Sequence, residues 1–226
     1  MGWIVLLVTL IVSGLLYYDA SKKIPVIAGT PLAPAEPIAE LELGTITNLA
    51  SAVADLTSDH WNRESIMVAS NAGPSPNGMR VATRLGERLA TGLHRVETAI
   101  SGVTPEEPHV LSLFVKPDGC GGIQFEMADH SSGKYGVARF DLLRKGLVAQ
   151  IGDVTDSGLQ KMPAGWFRCW MVMPFATDRI VFNFTLMNKK GQWRYLGNNS
   201  CGLFVWGVQL ERGSRLSGYS CRTVDQ

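Results

Sequence analysis

The chain has 226 residues, 46% hydrophobic and 18% charged, with a formal net charge of +1, enough for one domain and an appendage. Near neutrality, with Lys and Arg scattered rather than clustered, excludes an electrostatic case for a nucleic-acid partner. The 24 glycines, set among short runs of Val, Phe, Trp, Tyr and Thr, point to an all-β protein.

Residues 1–23 stand apart. From Met1 to Tyr18 there is no charge, and that run as a helix at roughly 1.5 Å per residue spans about 27 Å, enough for a hydrocarbon core. Trp3 lies at one end and Tyr17 and Tyr18 at the other, where aromatic rings favour headgroups. No basic residue precedes the run and no small-x-small site closely follows it, so an uncleaved anchor fits better than a signal peptide. Residues 3–18 are predicted to enter a membrane. Lys22 and Lys23, read alone, would keep the following domain in the cytoplasm. Residues 24–44 carry Pro25, Pro31, Pro34 and Pro37 and read as a semi-rigid stalk. The domain itself is expected over 45–226.

Eight strands are predicted in chain order: 66–70, 94–101, 109–117, 122–128, 135–143, 166–173, 179–187 and 202–211. The stretch 71–78, NAGPSPNG, reads as a loop, and LGERLATGL (85–93) as a short helical turn weakened by its two glycines. Alternation places Leu111, Leu113 and Val115 inward, with Ile123, Phe125, Met127, Ala138, Phe140 and Leu142. Phe167, Cys169, Met171, Met173, Ile180, Phe182, Phe184 and Leu186 join them. On the last strand Phe204, Trp206, Val208 and Leu210 share one face and are assigned to the core.

Several segments recur in a familiar order: NLASAVADLTSDHW (48–61), SPNGMRVA (75–82), LSLFVKP (111–117), AGWFRCWM (164–171), YLGNNSCGLFVWGVQLERG (195–213) and SGYSCRT (217–223). Together they resemble the carbohydrate-binding-module-like jelly rolls of phage tail fibres and secreted bacterial glycan-binding proteins. The resemblance covers about 48–223. It departs from the usual pattern at Asn77, at Asn198 and Asn199, and at Cys221 and Arg222. It implies an antiparallel β-sandwich in which Trp166 and Trp206 support the fold, and it admits a structural calcium, although no run of Asp and Asn marks one. It also implies a glycan partner and an exported domain, periplasmic or extracellular, against the weak signal of two lysines.

No G-x-S-x-G elbow occurs, and His60, His94, His109 and His130 lack metal spacing. The domain is therefore read as non-catalytic. Cys120, Cys169, Cys201 and Cys221 show no Cys-x-x-Cys; Cys169 alternates with core residues, and a bridge among the other three is open in an oxidising compartment. A sugar needs an aromatic platform and fixed polar groups. The candidates facing away from the core are Trp170 and Phe114, with Trp193 and Tyr195 near a turn. Gln124, Glu126, Arg139, Asn183 and Thr185 supply polar partners. The rival is a virion or appendage component that uses the same sandwich to form a homo-oligomer.

Overall fold

A computed structural model describes residues 47–219 except 79 and 80. The expected membrane helix (residues 3–18) and stalk (24–44) lie outside the described residues. The sandwich falls within the compact unit Leu43–Gln226.

The strands are β1 (Asn62–Glu64), β2 (Ile66–Pro74), β3 (Val81–Glu87), β4 (Thr91–Gly92), β5 (Arg95–Ser101), β6 (Pro108–Asp118) and β7 (Gly122–Asp129). They continue as β8 (Lys134–Asp141), β9 (Gly146–Gly152), β10 (Asp156–Lys161), β11 (Phe167–Pro174), β12 (Arg179–Met187), β13 (Tyr195–Leu196) and β14 (Gly202–Arg212). Two six-stranded antiparallel sheets result, a first in the order β1-β5-β12-β7-β8-β9 and a second in the order β10-β11-β6-β14-β3-β2. Strands β4 and β13 make a small ribbon.

The inward sets predicted for β6, β7, β8, β11 and β12 form one buried cluster between the sheets. Phe125, Phe140, Phe182 and Phe184 interlock there edge to face, and Trp61 stacks on Phe184. Such aromatic pairs add to the burial term through ring-edge contacts. Cys169 is a buried free thiol whose pKa burial pushes up.

Four expectations need correction. Residues 85–93 are not a helical turn: they hold the end of β3 and the two-residue β4. Part of the predicted loop 71–78 is the end of β2. Strands β1, β3, β9, β10 and β13 lie where none was expected; β1, β9 and β10 are edge strands of the two large sheets, free of the strict alternation that burial on one face imposes, whereas β3 is interior.

The fourth concerns β14. Leu203 and Val205 face the core, while Phe204 and Trp206 face out, into a second cluster with Ala82, Phe114, Trp166 and Tyr219. The face changes because Trp206 pairs with Phe114 and Gln209 with Ser112, so Gly207 and Val208 together oppose one residue of β6. This is a β-bulge, with Gly207 at φ 66°, a conformation suited to glycine. Beyond it Val208 and Leu210 are again inside. Asn48 fixes the strand just past the bulge, donating to the Val208 carbonyl at 2.9 Å and accepting from the Leu210 N–H at 3.0 Å.

Two structural carboxylates tie loops down. Glu87 Oε1 accepts the N–H groups of Asn198, Ser200 and Cys201 at 2.9, 3.2 and 3.2 Å, beside the Cys120–Cys201 disulfide. Burial pushes Glu87 up, but these bonds and the Tyr195 hydroxyl outweigh it and hold the carboxyl below its ordinary value. Asp129, at the end of β7, accepts from Ser131 and Ser132 with Oδ1 and from Ala176 and Thr177 with Oδ2. It thereby joins the β7–β8 turn to the β11–β12 turn. Burial again opposes the charge, and bonds from Ser132 and Thr177 overcome it, holding the carboxyl at about 2.

Two outcomes follow. A Cβ at Gly207 would stand 2.7 Å from Tyr219 Cε2 and 3.2 Å from Phe114 Cδ2, in a left-handed conformation. Gly207→Ala should therefore cost more than about 1 kcal/mol, read as a lowered urea midpoint. For Asp129, a folded pKa of about 2 against an ordinary 3.8 means stabilisation that is complete above 3.8 and lost as pH falls through 2. Asp129→Asn should be less stable than wild type near pH ~6, and the gap should close near pH ~2, compared by denaturant midpoints at both.

Candidate functional site

Burying Phe125, Phe140, Phe182 and Phe184 turns their neighbours to the outer face of the first sheet. Cross-strand register then lines them up. One row runs Glu97, Asn183, Glu126, Val137, Ile151. The next runs Arg95, Thr185, Gln124, Arg139, Ala149. Asn183, Thr185 and Gln124 are buried and form a floor, while Arg95, Glu97, Glu126 and Arg139 are half-buried beside them and Tyr135 is exposed.

The floor is ordered by its own bonds. Thr185 Oγ1 donates to Asn183 Oδ1 at 3.1 Å, and Arg139 Nε donates to Gln124 Oε1 at 2.7 Å. Both amide oxygens are thus engaged, and the amide NH₂ groups of Asn183 and Gln124 face outward without a partner among the described residues. Arg95 bridges Glu64 at 2.8 Å and Glu97 at 3.0 Å, which ties up both carboxylates at the β5 end of the rows. Glu126, near Arg139 and Tyr135, has no ion pair among the described residues.

Trp193 closes the other end. Its ring lies over the Arg139 guanidinium, with Cζ 3.5 Å from the ring centroid, and it remains 39% exposed. The loop that carries it is built on Asn188, whose Oδ1 accepts the N–H groups of Lys190 at 2.9 Å and Gln192 at 3.1 Å. Beside the ring is a hollow of about 200 Å³ lined by Arg139, Asp141, Arg144, Lys189 and Trp193 among others. Burial lowers the Arg139 pKa, and Tyr135 and Glu126 act against that shift.

Of the residues nominated from sequence, Gln124, Asn183, Arg139 and Trp193 come together on this face, with Glu126 and Thr185. The rest lie elsewhere. Phe114 faces out from the second sheet but is 4% exposed, enclosed by Trp206, Tyr219 and the Arg168 guanidinium. That cover is the chain's own end: Arg168 donates to the Ser217 carbonyl at 2.6 Å, Glu211 accepts from Ser217, and Gln209 donates to the Gly218 carbonyl at 3.2 Å. Phe114 therefore has no open ring face to offer a sugar. Trp170, half-buried on the same sheet, lays its six-membered ring across Gly158 of β10, where a Cβ would overlap it. Tyr195 packs against the core and His94; its hydroxyl pKa is raised by burial and by Glu87. It lines a separate concavity of about 460 Å³ with Glu87, Gln192 and Asn198.

A third concavity, about 540 Å³, lies beside Trp206 and Tyr219 and is lined by Asp55, Thr57, Ser70, Asn71 and Thr83. Its two rings are 4.5 Å apart and packed on one another. Among the described residues no three His, Cys, Asp or Glu side chains converge; both oxygens of Asp129 face N–H donors, whereas Glu87 Oε2 is buried with no hydrogen-bond partner. The Arg139–Gln124 bond and the Tyr135–Glu126 neighbourhood escaped sequence reading, since alternation gives faces but not which strands are neighbours.

No family model matches the chain, and no curated protein matches it. Solved structures similar to it include TmCBM61 in complex with β-1,4-galactotriose, at 12% identity and a TM-score of 0.43, covering 69% of this chain and 90% of that one. The CBM22-1–GH10 modules of Clostridium thermocellum xylanase 10B complexed with xylohexaose align at 12% identity and 0.39, covering 77% of this chain and 28% of that one. The enzymatically active domain of bacteriophage CBA120 tailspike protein 4 aligns at 13% and 0.40, over 68% of this chain and 19% of that one.

The two aromatic sites should respond oppositely to truncation. Phe114→Ala opens a cavity in a closed cluster and should cost about 3–5 kcal/mol. Trp193→Ala removes an exposed ring and one cation–π contact and should cost about 1 kcal/mol or less. Urea denaturation of both variants checks this.

Proposed function

We propose that this domain is a non-catalytic glycan-binding module whose ligand lies across the outer face of the first sheet and against Trp193. The observation that carries the reading is the ordered polar floor of Asn183, Thr185 and Gln124, flanked by Arg139 and Glu126 and ended by an exposed indole. A sugar offers hydroxyls that donate and accept, and an apolar ring face; this surface supplies a partner for each. Glu64 and Glu97 are held by Arg95, which leaves Glu126 without a second free carboxylate in these two rows, among the described residues, for a hydrolytic pair.

Tethering through residues 3–18 and display outside the cytoplasm belong to the same proposal. The uncharged run with its aromatic ends supports the first. The Cys120–Cys201 disulfide, of a kind that persists in oxidising compartments, supports the second. A second reading, assembly through self-association, draws on β9: Leu147, Val148 and Ile151 are exposed on this edge strand of the first sheet, and open apolar edges invite pairing.

The test is a glycan array probed with the full chain, held in a polyoxyethylene detergent that carries no sugar. A defined set of glycans should bind, and Trp193→Ala should weaken them about tenfold or more with the melting temperature little changed. Absence of glycan binding, together with a concentration-dependent oligomer lost on Ile151→Lys, would sink this reading in favour of assembly.

A further inference from the structure

The geometry points to an acidic glycan as the ligand of this face, with Arg139 taking a carboxylate or sulfate ester carried by the sugar. This rests on the glycan-binding reading and adds to it the charge of the ligand. Arg139 is held on two sides. Its Nε–H is bound to Gln124 Oε1 at 2.7 Å, and its Cζ lies over the Trp193 ring, 3.5 Å from the centroid. A guanidinium presents five N–H donors in a fixed fork. Here one is used, and the end-on pair at Nη1 and Nη2 has no partner among the described residues. That edge matches two oxygens of one anion. Because Gln124 and Trp193 already fix the guanidinium, little freedom remains to be lost on binding.

The surroundings agree in sign. The hollow beside Trp193 is lined by Arg139, Arg144 and Lys189 against Asp141, three cations to one anion on a chain whose net charge is +1. Asp141 is already approached by Arg144 at 3.4 Å. On the floor, Gln124 and Asn183 present further N–H groups rather than acceptors. Hydroxyls can accept from single donors on this face, but the two-pronged edge of the Arg139 guanidinium is matched in spacing and charge by two oxygens of one carboxylate or sulfate. Glu126, in the adjacent row and near Arg139, supplies an acceptor for neighbouring hydroxyls. The face is thus polar along its length, with the anion at the Trp193 end.

Matched probes test the charge separately from the sugar. Binding of the full chain is measured to polygalacturonate and to its fully methyl-esterified form, and to dextran sulfate and to dextran. At least one charged member should bind about tenfold or more tightly than its neutral partner. A preference within the first pair assigns a carboxylate and within the second a sulfate. Arg139→Lys keeps the charge but removes the fork, and should lose about tenfold in affinity for the charged probe; Lys189→Gln should lose a few-fold at most. Gln124→Ala, which frees the guanidinium without altering its charge, should weaken binding in the same direction. Equal binding within both pairs, or an Arg139→Lys variant that binds as wild type, overturns the inference. Neutral glycans bound on the array with no charged preference would overturn it while leaving the glycan reading intact, and no glycan bound at all would overturn both.

Discussion

Four phenylalanines and a tryptophan decide which way the first sheet faces. Phe125, Phe140, Phe182 and Phe184 pack with Trp61 at centroid separations from 4.8 to 5.9 Å. A strand has two faces and a period of two, so their burial leaves Gln124, Glu126, Arg139, Asn183 and Thr185 no choice but the outside. A slip of one residue in any of these strands would bury a charge and expose a ring. The polar floor is therefore a by-product of core packing, and its rigidity comes from the hydrophobic side of the same strands.

The outer faces of the two sheets have been put to different uses. On the second, Phe114, Trp166, Trp206 and Tyr219 collect into a small core of their own, covered by Ser217 and Gly218 and by the Arg168 guanidinium, whose pKa burial lowers. On the first, the aromatic group stands at the end of the rows rather than over them. Rings that pack on each other stabilise a fold; Trp193, held beside a row of donors, keeps much of its surface in solvent.

Alternation made the inner faces of β6, β7, β8, β11 and β12 legible, because those strands are long and central and each must hide one side. It failed on β14, where a single inserted residue at Gly207 exchanges the faces and sends Phe204 and Trp206 out. A bulge leaves no trace in hydrophobic pattern beyond a glycine, and glycines are common here. Strands β9 and β10 went unseen for a related reason: GLVAQIG and DSGLQK lie on sheet edges and carry little periodic pressure. The site was legible in part. Gln124, Arg139 and Asn183 could each be assigned an outward face, but that Gln124 holds Arg139, and that Trp193 lies over the Arg139 guanidinium, depends on strand order and loop path, which no local pattern encodes.

The indole of Trp170 lying across Gly158 has an implication for how this sheet can vary. Strand β10 is held to β11 by its backbone ladder and also by a large ring occupying the space where a side chain at position 158 would stand. The two positions behave as a lock and its keyhole: a bulkier residue at 158 demands a smaller one at 170, and neither can drift alone. One steric constraint is thus spread across two strands.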